Sequence, residues 1–143
     1  MILLVVMSLL TNKIDEWTFS KSDVEKDLKH IDVELRHDFK IIANRVSGMP
    51  ERYQQTKLLI APADRNRIIG EIKNSANFKS FENSDLTSED NEVNREIRNE
   101  IYNYRYPEFY SRNTYTYIDN IPARFYMSIS ENNDTLEYQL IED

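Results

Sequence analysis

The 143-residue sequence has no cysteine and only two glycines, Gly48 and Gly70. Without cysteine the chain forms no disulfide, thiolate metal site, thiol nucleophile or lipid-modified cysteine. Two isolated glycines exclude a glycine-rich phosphate loop or a dinucleotide-binding turn, which need several at fixed spacing. Positive charge is in deficit, 18 Lys and Arg against 25 Asp and Glu, for a formal charge of −7. That balance argues against nucleic acid, whose binding rests on cationic contacts to phosphate. No Gly-x-Ser-x-Gly elbow occurs, and two histidines on one exposed helix make poor triad members. Catalysis is not expected, and no cofactor is implied.

What is present is enough to fold. Hydrophobic residues make up 40% and aromatic residues 11% of a chain long enough for one domain. Residues 1–10, Met1 to Leu10, form an apolar segment set apart from a single domain over 11–143. The segment is shorter than the roughly 20 residues that cross a bilayer. It lacks a preceding Lys or Arg and a following small-x-small cleavage site. It reads as a truncated membrane anchor, a signal remnant or a buried element of the domain. The polar exit at Thr11 to Glu16, followed by Trp17 and Phe19, favours a membrane-associated or extracytoplasmic protein, with a cytoplasmic location as the alternative.

Ser22 and Glu25 have capping-box spacing, and Val24, Leu28, Ile31 and Leu35 recur on one helical face, predicting a helix over about Ser22 to Arg36. Phe39–Val46 and Tyr53–Ile60 read as two strands joined by a Ser47–Pro50 turn. Pro62 opens a second helix whose buried face is Ile68, Ile69 and Ile72 and which ends near Asn74. Phe78 to Leu86 is a polar connection. Thr87 to Asp90 starts a third helix carrying Val93, Ile97, Ile101 and Tyr104, stopped by Pro107. Thr114–Ile118 and Ala123–Ser130 are strands, the latter with Phe125, Met127 and Ile129 inward. A Glu131–Asp134 turn leads to a last strand with Leu136, Tyr138 and Leu140 on one face. The expected fold class is α+β: one antiparallel sheet of four or five strands with two or three helices on one face.

Two constellations invite function. His30, Glu34 and His37 sit at i, i+4 and i+7 on the first predicted helix, with Asp23 and Asp27 at similar angles. The histidines lie about 10 Å apart along the axis, too far for one ion without help, so they are weak metal candidates. The second is aromatic. Tyr102, Tyr106, Tyr110, Tyr115, Tyr117 and Tyr126, with Arg112 and Arg124 among them, combine the residue types that dominate binding hot spots. A protein partner through this Tyr/Arg surface is the leading expectation. An acidic inhibitor or immunity-type protein binding a basic partner, and a metal-dependent hydrolase, are the alternatives.

The segment from Thr56 through Leu58, Ile60, Pro62, Asp64, Ile68, Gly70 and Ile72 to Phe78 resembles a strand–helix unit in small uncharacterised bacterial membrane-anchored proteins. The resemblance implies a short apolar anchor followed by an extracytoplasmic α+β domain.

Overall fold

Alternating side chains build most of this molecule. In the computed structural model, which describes residues 6–7, 19–48, 51–81 and 99–142, seven strands form one sheet. They are β1 (Lys40–Ser47), β2 (Arg52–Leu59), β3 (Lys79–Ser80), β4 (Ile101–Arg105), β5 (Phe109–Ile118), β6 (Ile121–Ser130) and β7 (Thr135–Glu142). Helices α1 (Lys21–Lys29) and α2 (Pro62–Lys73) accompany the sheet, and Val6 and Met7 are also helical. The sheet order is β1-β2-β7-β6-β5-β4-β3. All pairs are antiparallel except β3 with β4, which run parallel.

The expectation of a purely antiparallel sheet of four or five strands is therefore corrected: there are seven, and the sheet is mixed. Two local signals account for the undercount. Ile101 and Tyr104, assigned to a third helix, lie in β4, because Ile101-Tyr-Asn-Tyr-Arg105 pairs residue for residue with Thr114 to Tyr110. The pair's i, i+3 spacing suits a helix as well as a strand. Val93 and Ile97 fall outside the described residues. The other signal is Lys79–Ser80, a short parallel edge inside the segment expected to be irregular.

The first helix is also shorter than expected. It starts at Ser20, whose backbone N–H and hydroxyl both donate to Asp23 Oδ2, at 2.8 and 2.9 Å. It stops at Lys29 because Asp32 turns into the left-handed region (φ 56°) and Val33 N–H returns to the Leu28 carbonyl at 3.0 Å. Asp is among the few non-glycine residues that enter this region readily. Ile31 is nevertheless fully buried, and Val33 nearly so, because the turn carries both into the core.

The core fills one face of the sheet. Val24 and Leu28 of α1 and Ile68 and Ile72 of α2 pack on Leu58, Phe125, Met127, Ile129, Leu136 and Tyr138. The expected inward sets on β6 and β7 and the expected face of α2 are found there, with Ile69 partly buried beside it. Phe125 and Tyr138 stack at 5.2 Å across β6 and β7. Burying apolar side chains of this size contributes about 1.5–3 kcal/mol each.

The turns have the required chemistry. Asp119 and Asn120 (φ 51° and 67°) close the two-residue β5–β6 hairpin, the left-handed pair that matches strand twist. Gly48 has φ 108°, and a Cβ there would lie 1.9 Å from the Glu51 carbonyl oxygen, so glycine is required. Arg65 of α2 pins the β6–β7 turn through a 2.8 Å ion pair with Asp134. Among the described residues no helix is long and apolar enough to cross a membrane.

Candidate functional site

Strand parity divides the sequence-predicted surface. Residues paired with inward positions of β6 face the helices, and Tyr110 and Arg112 pair with Ile129 and Met127. Tyr110 is 1% exposed, with Lys73 Nζ over its ring at 5.3 Å and Arg105 at 5.8 Å. Arg112 is 6% exposed. Its Nε donates to Asn103 Oδ1 at 2.8 Å and its Nη1 to the Asp32 carbonyl at 3.0 Å. Burial pushes its pKa down against the charges of Glu71 and Asp32. Both residues serve the interior, where Arg112 holds the turn after α1 against β5.

The remaining predicted residues share the opposite face, which neither α1 nor α2 covers. Tyr102, Asn113, Tyr126, Gln139, Gln55 and Arg45 form one register row from β4 to β1. Tyr115 is opposite Arg124 and Tyr117 opposite Pro122 on adjacent strands. The Arg124 guanidinium lies over the Tyr115 ring at 5.2 Å, a cation–π contact between neighbouring strands. Tyr102, Tyr115 and Tyr126 are half-buried, and Tyr117 is 56% exposed. Ser111 and Asn113 are small enough to be buried among these rings.

At the β3–β4 edge the rings continue as a cluster. Phe81 lies 5.7 Å from Tyr104 and 5.5 Å from Tyr106, and Tyr106 stacks on Phe109 at 4.9 Å. Tyr102 and Tyr104 stand nearly parallel at 6.4 Å. Tyr106 is thus grouped with the others although it lies beyond the end of β4; its N–H donates to the Phe109 carbonyl at 2.8 Å. A polar groove of about 540 Å³ runs along the same face, lined by Lys57, Glu108, Phe109, Ser128, Asn133 and Glu137. Rigid rings with hydroxyl tips, flanked by polar side chains, suit contact with another macromolecule.

The histidine constellation does not assemble. With α1 ending at Lys29, Glu34 and His37 leave the helical face that carries Asp23 and Asp27, and His30 is the C-cap. His37 instead joins Asp64, a fully buried carboxylate at the start of α2. Asp64 accepts the backbone N–H groups of Arg36 (3.1 Å) and His37 (2.9 Å), His37 Nδ1 (3.2 Å) and Arg67 Nη2 (3.1 Å). Burial alone would raise its pKa, but these donors together hold it below the usual carboxylate value. Arg67 also donates to the Glu34 carbonyl, locking residues 34–37 onto α2. Among the described residues no group of three His, Asp or Glu is arranged to hold a metal ion.

Asp23, Asp27 and His30 do share a cleft of about 310 Å³ between α1 and the sheet, with Arg52, Asp119 and Glu142. Asp27 Oδ2 accepts the Tyr138 hydroxyl at 2.7 Å and Gln54 Nε2 at 3.3 Å. The chain of contacts runs on from Gln54 Nε2 to Thr56 Oγ1 (3.1 Å) and from Thr56 to Asn44 Oδ1 (2.7 Å). Burial raises the Asp27 pKa, opposed by the Tyr138 and Gln54 hydrogen bonds and the His30 and Arg52 charges. Burial and the Asp27 charge push the Tyr138 hydroxyl far above its ordinary value, keeping it a neutral donor. These groups bond to one another and tie helix to sheet.

Sequence reasoning passed over Asp64 and Tyr138. Asp64 had one usable signal, its place two residues after Pro62 in a helical first turn, where a carboxylate meets unpaired amides. Tyr138 looked like any inward strand aromatic, and its partner Asp27 is 111 positions distant. Compared with known proteins, the chain matches no family model, no curated protein and no solved structure.

Proposed function

We propose that this protein is a non-catalytic interaction domain that docks a protein partner on the face of its sheet opposite α1 and α2. One observation carries the reading: strand register gathers Tyr102, Tyr115, Tyr117, Tyr126 and Arg124 on that face, while α1 and α2 occupy the other. Aromatic rings offer large contact area at low conformational cost, and the Arg124–Tyr115 contact pre-orders part of it. A photo-crosslinking side chain at Tyr126 tests this in cells, against the same group at exposed Lys29 on α1. A discrete adduct from Tyr126 and none from Lys29 supports the reading; equal labelling, or none from Tyr126, overturns it.

The same proposal places the domain at, or exported across, a membrane. The apolar composition of residues 1–10 and the following Trp17 and Phe19 support this. Fractionation of the full-length gene product checks it, and complete recovery in the soluble cytoplasmic fraction rules it out.

A further inference from the structure

The charge on this face runs against the charge of the chain. Strand positions sharing the face with Tyr126 carry five cations, Lys40, Arg45, Lys57, Lys79 and Arg124, and one carboxylate, Glu137. Glu51, Glu100 and Glu108 border its ends, and Glu100 accepts the Tyr102 hydroxyl at 3.0 Å. Over a chain of net charge −7, the β1–β2 end of the face, with Lys40, Arg45 and Lys57, is locally basic.

Three of the cations, Lys40, Arg45 and Lys57, lie on β1 and β2, apart from Tyr126, Tyr115 and Tyr102, whereas Arg124 lies over Tyr115 and Lys79 pairs with Tyr104. Along the row Arg45–Gln55–Gln139–Tyr126–Asn113–Tyr102 the side chains pass from basic through two amides to two tyrosines with Asn113 between them. Arg45 and Lys57 lie on neighbouring strands at the basic end, two register positions apart, and Lys57 is opposite Glu137 on β7. From β1 to β6 is three strand spacings, about 14 Å, the length of roughly four extended residues.

We propose, resting on the docking face assigned above, that the partner is an extended protein segment that crosses these strands. Its carboxylates meet Arg45 and Lys57, and its apolar or aromatic side chains lie among Tyr126, Tyr115 and Tyr102. Charge complementarity selects such a segment. Single-stranded nucleic acid, the other ligand of basic aromatic sheets, fits less well. A continuous phosphate backbone would pass Glu137 and the bordering glutamates and meet the field of the whole acidic molecule. A short acidic segment feels mainly charges within a Debye length of about 8–10 Å.

The probe is a fluorescent peptide, Glu-Glu-Glu-Glu-Gly-Leu-Trp-Leu, titrated with the intact protein and followed by anisotropy. Arg45→Glu with Lys57→Glu is expected to weaken binding about tenfold or more at low salt, whereas Lys29→Glu, which also reverses a charge, leaves it unchanged. Equal binding of the Lys-Lys-Lys-Lys-Gly-Leu-Trp-Leu peptide, or no binding of the glutamate peptide to the unaltered protein, overturns the proposal. So does tighter binding of oligothymidine that displaces the glutamate peptide. Binding indifferent to Arg45→Glu/Lys57→Glu but lost in Tyr115→Ser/Tyr126→Ser refutes the acidic preference and leaves the docking face standing. Binding indifferent to both pairs removes the docking face as well.

Discussion

The Tyr138 hydroxyl donates to Asp27 Oδ2 across 2.7 Å, joining the last strand to the first helix. The bond neutralises little charge but satisfies a carboxylate that burial would otherwise leave short of donors. Tyr138→Phe keeps the ring stack on Phe125 and removes only the donor, so Asp27 retains Gln54 as its remaining close partner. The expected loss is about 1–3 kcal/mol in urea unfolding with an unchanged m-value. A loss below a few tenths of a kcal/mol would mean that water replaces the hydroxyl without cost.

Asp27 and Asp64 give stability opposite pH dependences. The folded Asp27 pKa lies above the ordinary 3.8, so between the unfolded and folded values the native state holds more protons. Its contribution is full below the unfolded pKa and is lost as pH rises through the folded one. The folded Asp64 pKa lies below 3.8, so its contribution is present above the unfolded value and is lost as pH falls through the folded one. Thermal melts from acid to neutral pH are expected to show Asp27→Asn removing a decline on the neutral side of 3.8. Asp64→Asn is expected to remove a decline on the acid side. Parallel curves for the unaltered protein and both variants would refute the assignment.

How far the sequence discloses this architecture depends on how cleanly each element alternates. On β6 and β7 apolar and polar residues trade places strictly, and the inward sets at Phe125–Ile129 and Leu136–Leu140 follow directly. On β5 the run Ser111-Arg112-Asn113-Thr114 is polar and buried on both faces, so no alternation marks which side meets the helices. Tyr110 and Arg112 therefore read as surface residues until pairing with Ile129 and Met127 fixes their parity. The α1 stop is hidden for a different reason. Asp32 costs little in the left-handed region, and the apolar spacing through Leu35 continues past it, so periodicity alone extends the helix. The aromatic density at 102–126 was legible, but its division between two faces is a property of register.

Gly70 lies inside α2, and a Cβ built there meets nothing within 4 Å. Gly70→Ala is expected to stabilise the protein by about 0.5–1 kcal/mol, through the greater backbone entropy of the unfolded glycine and the higher helix propensity of alanine. A rise in the denaturation midpoint with unchanged peptide binding checks it. A fall would mean that the open space at Gly70 is needed for contacts outside the described residues.

At the β5–β6 hairpin, Asn120 holds φ 67° next to Asp119 at 51°. Alanine in the left-handed region loses roughly 1–2 kcal/mol, whereas glycine enters it without steric penalty. Asn120→Ala is expected to destabilise the fold by about 1 kcal/mol, and Asn120→Gly to be neutral or stabilising. The same turn sets the register of Tyr115 against Arg124 and of Tyr117 against Pro122. The alanine variant should therefore show faster amide exchange at the Ile118–Ile121 end of the hairpin before the core opens. If both variants destabilise equally, the cost comes from lost Asn120 side-chain contacts, and the turn geometry is not what fixes the aromatic face.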